Sequence, residues 1–240
     1  MEFYFLQLWR RAEGALAPSR PSPKRKEKKQ SVRKQKIEFF LLLILSTVSL
    51  YSQSTIQSFK KLSPPEKKWA FFHPFIAKKA YHLTIKARDT AKLVAKDTLL
   101  DHDENGGQVD AFRHAYWMAL LSQKIKPKKA FNLGLAHEKG NYLTFKKGQY
   151  EEGVQPDSLA GRMDIYNNAV GVEIGRENKK LNDDELKKFV IKSILSGDMR
   201  VLKKDKQGNY LDCGGNIIDL VGYKGKWGIP KCLIQTDINK

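Results

Sequence analysis

The sequence predicts a mainly α fold: a multi-helix orthogonal or bundle-like domain over residues 62–197, then a short β-rich, hairpin-like tail over 198–240. Three observations predict it. Apolar residues recur at helical spacing, as in Ile76, Ala80, Leu83, Ala87, Ala91 and Val94. Helix start and stop signals bracket these runs: Ser63 with Glu66, Pro127, the stretch Asn182-Asp-Asp-Glu185, and Gly197. After Gly197 the pattern changes to short stretches divided by Gly-containing turns.

The elements follow in order. Ser63 caps a short helix through Trp69 and Phe72 that stops near His73-Pro74, because the residue before a proline disfavours helical backbone. A long helix runs from about 75 to 100. The loop 101–107 breaks it. Its Asp101-x-Asp103-x-Asn105-Gly106 matches the first half of an EF-hand-like calcium loop, but position twelve is Phe112 rather than Glu, so an acidic inter-helix turn is preferred. Helices follow over about 109–124, from Pro127 onward, and over about 159–177, with a Gly/polar loop at 146–158. An amphipathic helix runs from Asn182 to Gly197. Residues 199–203, 205–211 and 216–221 read as short strands or a hairpin.

The N-terminal region carries the localisation signal. Basic residues 32–36 precede an apolar stretch, 37–51, shorter than the ~20 residues of a spanning helix. Residues 32–52 read as a signal peptide cut near Ser52, or as a signal anchor in the inner membrane with the domain outside. Residues 1–31 read as a disordered basic segment, or as a start-site artefact ahead of Val32. The expected location is therefore the periplasm, outer surface or exterior. Two cysteines, Cys213 and Cys232, permit one disulfide there and lack metal-site spacing.

Net charge is +18. From Gln53 onward, 33 Lys/Arg stand against 22 Asp/Glu. This balance points to anionic surroundings such as a membrane surface or an envelope polymer, or to a lysine-coated exported protein. Nucleic acid ranks below these, since zinc-finger spacing and RNP aromatic patterns are absent from the sequence.

Three segments concentrate polar residues where helices usually place core. Asp110, Arg113, His114 and Trp117 fall at i, i+3, i+4 and i+7; Asp164, Asn167, Asn168 and Gly171 repeat that spacing; His137-Glu138 lies between. Each spaced set forms one stripe with apolar flanks, so it faces an interior in which buried polar groups must be paired or used. Asp110 can orient His114, and Arg113 suits a carboxylate or phosphate. His137-Glu138 is not a His-Glu-x-x-His motif, because residue 141 is Asn. Two chemistries remain open. His114, His137 and Asp164 could ligate a divalent metal, with Glu138 as base for its water. Alternatively His114 or His137 acts as acid/base, with Arg113, Asn167 and Asn168 stabilising developing negative charge. A structural network fixing helix packing is the competing explanation.

Asp110-Ala-Phe-Arg-His-Ala-Tyr-Trp117, Ala136-His-Glu138 and Met163-Asp-Ile-Tyr-Asn-Asn-Ala-Val-Gly171 together resemble an uncharacterised bacterial helical domain family, found in exported proteins and at the C-termini of large secreted, toxin-like proteins. The resemblance spans about Lys68 to Glu177 and implies a shared helical domain without an activity. The function expected from the residues is a hydrolase acting on an anionic envelope component: a phosphodiester, a phospholipid or a cell-wall polymer. The alternative is a non-enzymatic envelope or adhesion module.

Overall fold

The computed structural model describes residues 57, 59–150 and 153–237. The chain divides into two compact units, Met1–Lys61 and Leu62–Lys240. In the first, the described residues are 57 and 59–61, all helical. The expectations for residues 1–31 and 32–52 lie outside the described residues. Among the described residues, no helix is long and apolar enough to cross a membrane.

The second unit is mainly helical, with a two-stranded antiparallel sheet near its C-terminus. Helix α1 spans Pro64–Phe72. The Glu66 carboxylate accepts hydrogen bonds from the Ser63 backbone N–H (2.8 Å) and hydroxyl (2.6 Å), which ties the first turn as the sequence predicts. Pro74 opens α2, Pro74–Val94. This helix ends at Val94 rather than near Leu100. Continuing it would carry Leu100 with the exposed Leu93 and Leu99; the chain turns instead and buries Leu100. The turn also delivers the Asp101 carboxylate to the N–H groups of Gln108 and Val109, at 2.7 and 3.4 Å. The acids of this loop thus satisfy the exposed donors of the next helix, in keeping with an acidic inter-helix turn.

That helix, α3 (Gln108–Lys124), is the centre of the fold. Every residue but Arg113, Gln123 and Lys124 is buried, as expected for a helix apolar on most of its circumference. Helices α4 (Pro127–Lys146), α5 (Ser158–Glu177) and α6 (Asp183–Leu195) pack against it, as does α2; α1 packs on α4 and α2. The closest approach is between α3 and α5. A Cβ placed on Gly171 or Gly175 would lie 2.2 Å from the carbonyl oxygen of Ala115 or Ala119. Only glycine lets these backbones meet, which brings the polar residues of the two helices into one site.

The tail carries the expected small antiparallel β element, with a different pairing of its stretches. Strand β1 (Arg200–Leu202) pairs antiparallel with β2 (Leu233–Gln235), Val201 opposite Ile234. Of the expected strands at 205–211 and 216–221, only isolated bridges form, Lys204 with Tyr210 and Leu211 with Ile217, and Leu220–Tyr223 is a 3-10 turn. Asp205 and Asp212 explain this. Their carboxylates accept the backbone N–H groups of Gln207, Asn209 and Asn216, so side chains take the place of a ladder. Cys213 and Cys232 are joined, with Cα atoms 4.8 Å apart. Asn167 holds β1 onto α5: its amide donates to the Arg200 carbonyl and accepts from the Arg200 N–H, both at 2.9 Å.

Candidate functional site

The α3–α5 contact places one imidazole between two carboxylates. His114 lies one turn beyond Asp110 on α3, and Asp164 approaches from α5. His114 Nε2 is 3.5 Å from Oδ1 of each. All three residues are buried. Asp110 is held by two donors, Arg113 Nη2 to Oδ1 and the Gly106 N–H to Oδ2, each at 2.7 Å. The Gly106 carbonyl in turn accepts from the Leu202 N–H at 2.7 Å, so β1 braces the loop that braces Asp110.

These residues line a cavity of about 110 Å³. Six of the eight candidate catalytic residues line it, Asp110, Arg113, His114, His137, Glu138 and Asp164, together with Trp117 of the first stripe. Helix α4 supplies two of them. His137 Nδ1 lies 3.1 Å from Glu66 Oε1, and its ring meets Trp117 edge to face, with centroids 5.6 Å apart. Asn141 donates to Glu138 Oε2 at 3.1 Å. The His137 and His114 rings are 6.3 Å apart. Of the expected metal-binding residues, His114 and Asp164 come together with Asp110, their ligand atoms within 4.8 Å of one another. His137 stands apart from this group, on Glu66. The two asparagines do not line the cavity. Asn167 is committed to Arg200, while Asn168 is fully buried beside His114, against Gly134 of α4.

Burial, then the nearby charges of Arg113, His137 and Arg88, push the His114 pKa well below its ordinary value, with Asn168 acting in the opposite sense. These surroundings disfavour the charged imidazolium. Burial opposes ionisation of Glu66, but the hydrogen bond and charge of His137, together with the bonds from Ser63, outweigh it and hold its pKa at about 2. A depressed carboxylate pKa stabilises the fold above the unfolded-state value, near 4.5, and that contribution is lost as pH falls toward 2. Glu66→Gln is accordingly expected to flatten the fall in stability between about pH 4.5 and 2, removing on the order of 3 kcal/mol of pH-dependent stability. Urea unfolding across that range measures it; an unchanged slope contradicts the assignment.

Several cavity residues were missed from the sequence. Glu66 had a visible role as a helix cap, which concealed its second one as partner of His137. Tyr210, Trp227 and Lys231 come from the tail, where no periodic pattern marks them. Lys231 Nζ bonds Asp157 Oδ2 at 2.6 Å, and both are almost fully buried. Trp227 packs against Tyr142 and Phe145 of α4, with centroids 5.0 and 4.9 Å away. Burial, then the charges of Asp103, Asp157 and Asp110, raise the Tyr210 pKa, so its hydroxyl stays protonated. The tail thus forms one wall of a cavity whose chemistry comes from the helices.

No curated protein and no solved structure matches the chain. A family model does match, over residues 67–198, just over half of the length. The matched segment contains all three polar clusters, and the tail beyond residue 198 lies outside it. The chain belongs to the family described as a domain of unknown function, DUF6973.

Proposed function

We propose that this protein is an exported hydrolase acting on an anionic envelope component: a phosphodiester, a phospholipid or a cell-wall polymer. The observation that carries the reading is the convergence of Asp110, Arg113, His114, His137, Glu138 and Asp164 on one cavity. Packing alone needs no space between such groups, and a concave site with convergent titratable residues is where chemistry is expected. Arg113 is partly exposed, and Arg88 on α2 is exposed; both suit an anion at the cavity mouth. Hydrolysis requires a proton taken from water and one returned to the leaving oxygen. We assign the first transfer to Glu138 and the second to His137, both of which line the cavity.

Export is supported by the basic and apolar runs at 32–51, and by a disulfide of the kind oxidising compartments maintain. A membrane surface as partner is supported by Phe71, Phe72 and Phe75, which are 74%, 66% and 99% exposed. They lie close in sequence to the exposed Lys68, Lys78 and Lys79, and apolar rings beside lysines suit an anionic lipid interface.

The test offers the full chain three substrates: bis(p-nitrophenyl) phosphate, a fluorogenic phospholipid and isolated peptidoglycan. Product is expected from one of them, with His137→Ala slower by about 100-fold or more. A stably folded chain that releases product from none of the three overturns the proposal in favour of a non-enzymatic envelope or adhesion module.

A further inference from the structure

We infer that Asp110, His114 and Asp164 form a divalent-metal site, with Asn168 as the residue that positions its imidazole. As an account of catalysis this rests on the hydrolase reading above; as a binding site it stands on geometry. The two 3.5 Å separations around His114 Nε2 exceed the range of about 2.7–3.2 Å for an N–H···O bond. They lie close to the edge of a tetrahedron with ligands about 2.05 Å from its centre, which is about 3.3 Å. The three ligand atoms lie within 4.8 Å of one another. Asp110 is pinned at both oxygens, so the remaining edge closes by rotation of the Asp164 carboxylate about χ2, a torsion with broad wells.

Asn168 supplies the second, independent observation. It is fully buried, and neither Nδ2 nor Oδ1 has a hydrogen-bond partner; His114 Nδ1 also lacks one. Orphaned buried amides are costly and call for a reason. Asn168 lies beside His114, and turning its amide oxygen to the ring would let it accept the Nδ1–H. That would fix the tautomer whose Nε2 lone pair faces the two carboxylates. Metal-bound histidines characteristically donate their second nitrogen in this way. One imidazole, two carboxylates and an edge near the tetrahedral value point to Zn²⁺ ahead of a larger octahedral ion. The cavity beside the group leaves room for a water as fourth ligand, and such a water is acidified toward neutral pH.

The experiment is calorimetric titration of the EDTA-stripped, desalted full chain with ZnCl₂, with MnCl₂ in parallel, accompanied by thermal unfolding. One equivalent of Zn²⁺ is expected to bind and raise Tm. His114→Ala and Asp164→Asn should lose this binding, with Asp164→Asn serving if the alanine variant fails to fold. Asn168→Ala should weaken it by about 10–100-fold, and His102→Ala, on an exposed loop, should leave it unchanged. Absence of binding, or equal binding by wild type and Asp164→Asn, overturns the inference. The titration contains no substrate. A chain that takes up metal but hydrolyses nothing keeps this site and loses the function proposed above; a chain that hydrolyses but takes up no metal does the reverse.

Discussion

Asp157→Ala lowers the unfolding free energy by about 3–5 kcal/mol, as expected when one partner of a buried ion pair is removed. Two losses combine. Asp157 Oδ1 caps α5, accepting from the N–H groups of Leu159 (2.9 Å) and Ala160 (3.1 Å); such a cap contributes about 1 kcal/mol. Its Oδ2 holds Lys231, whose side chain is 3% exposed and whose ammonium lies 3.9 Å from the Tyr210 ring centroid. Without Asp157 that ammonium is buried without a counter-ion, which costs more than the lost cap. Asp157→Ala combined with Lys231→Met should recover most of the loss, because replacing both members by neutral groups is often close to neutral. Equilibrium urea unfolding measures both. A single variant within about 1 kcal/mol of wild type contradicts the argument. The consequence reaches the cavity, since the same junction bonds the Ser158 N–H to the Trp227 carbonyl at 2.9 Å and so seats the tail wall.

Gly171→Ala destabilises by about 1–3 kcal/mol or more. In an exposed helix the same change stabilises by about 1 kcal/mol, so the sign distinguishes the two environments. Here the new Cβ would meet backbone atoms of Ala115 at 2.2 to 2.8 Å. Backbone cannot swing aside as a side chain can, so α3 and α5 must separate. That separation also moves Asp164 away from His114, and activity should fall together with Tm. A rise in Tm contradicts the close-contact account.

Helix existence and most helix starts were legible in the sequence because caps act locally: Ser63 with Glu66, Pro127 at the first turn, Asn182 with Glu185. The end of α2 was not, since burial of Leu100 and capping by Asp101 are decided by the neighbouring helix. The polar clusters were legible because Asp110, His114 and Asp164 sit among apolar neighbours on helices. Their partition was less so. Asn167 and Asn168 are adjacent, yet one binds the Arg200 backbone and the other lies against His114, a difference set by where β1 docks. Glu66 is 71 residues from His137, and strand β2 pairs with β1 across the whole tail. Neither long-range partner leaves a periodic trace.

Gly171 closes the polar stripe of α5 and Gly175 lies one turn further on, a spacing that by itself suits either backbone approach or a ligand. The structure assigns them to approach, and the space for a ligand lies elsewhere on the same two helices, around Asp110, His114 and Asp164. That placement makes His114 the residue on which both proposals meet, as a member of the cavity cluster that carries the hydrolase reading and as the imidazole of the metal site. The most direct measurement is the initial hydrolysis rate of His114→Ala beside wild type, on whichever of the three substrates the wild type turns over, with both proteins shown to unfold at the same temperature. The account predicts a rate lower by about 100-fold or more; equal rates would contradict it.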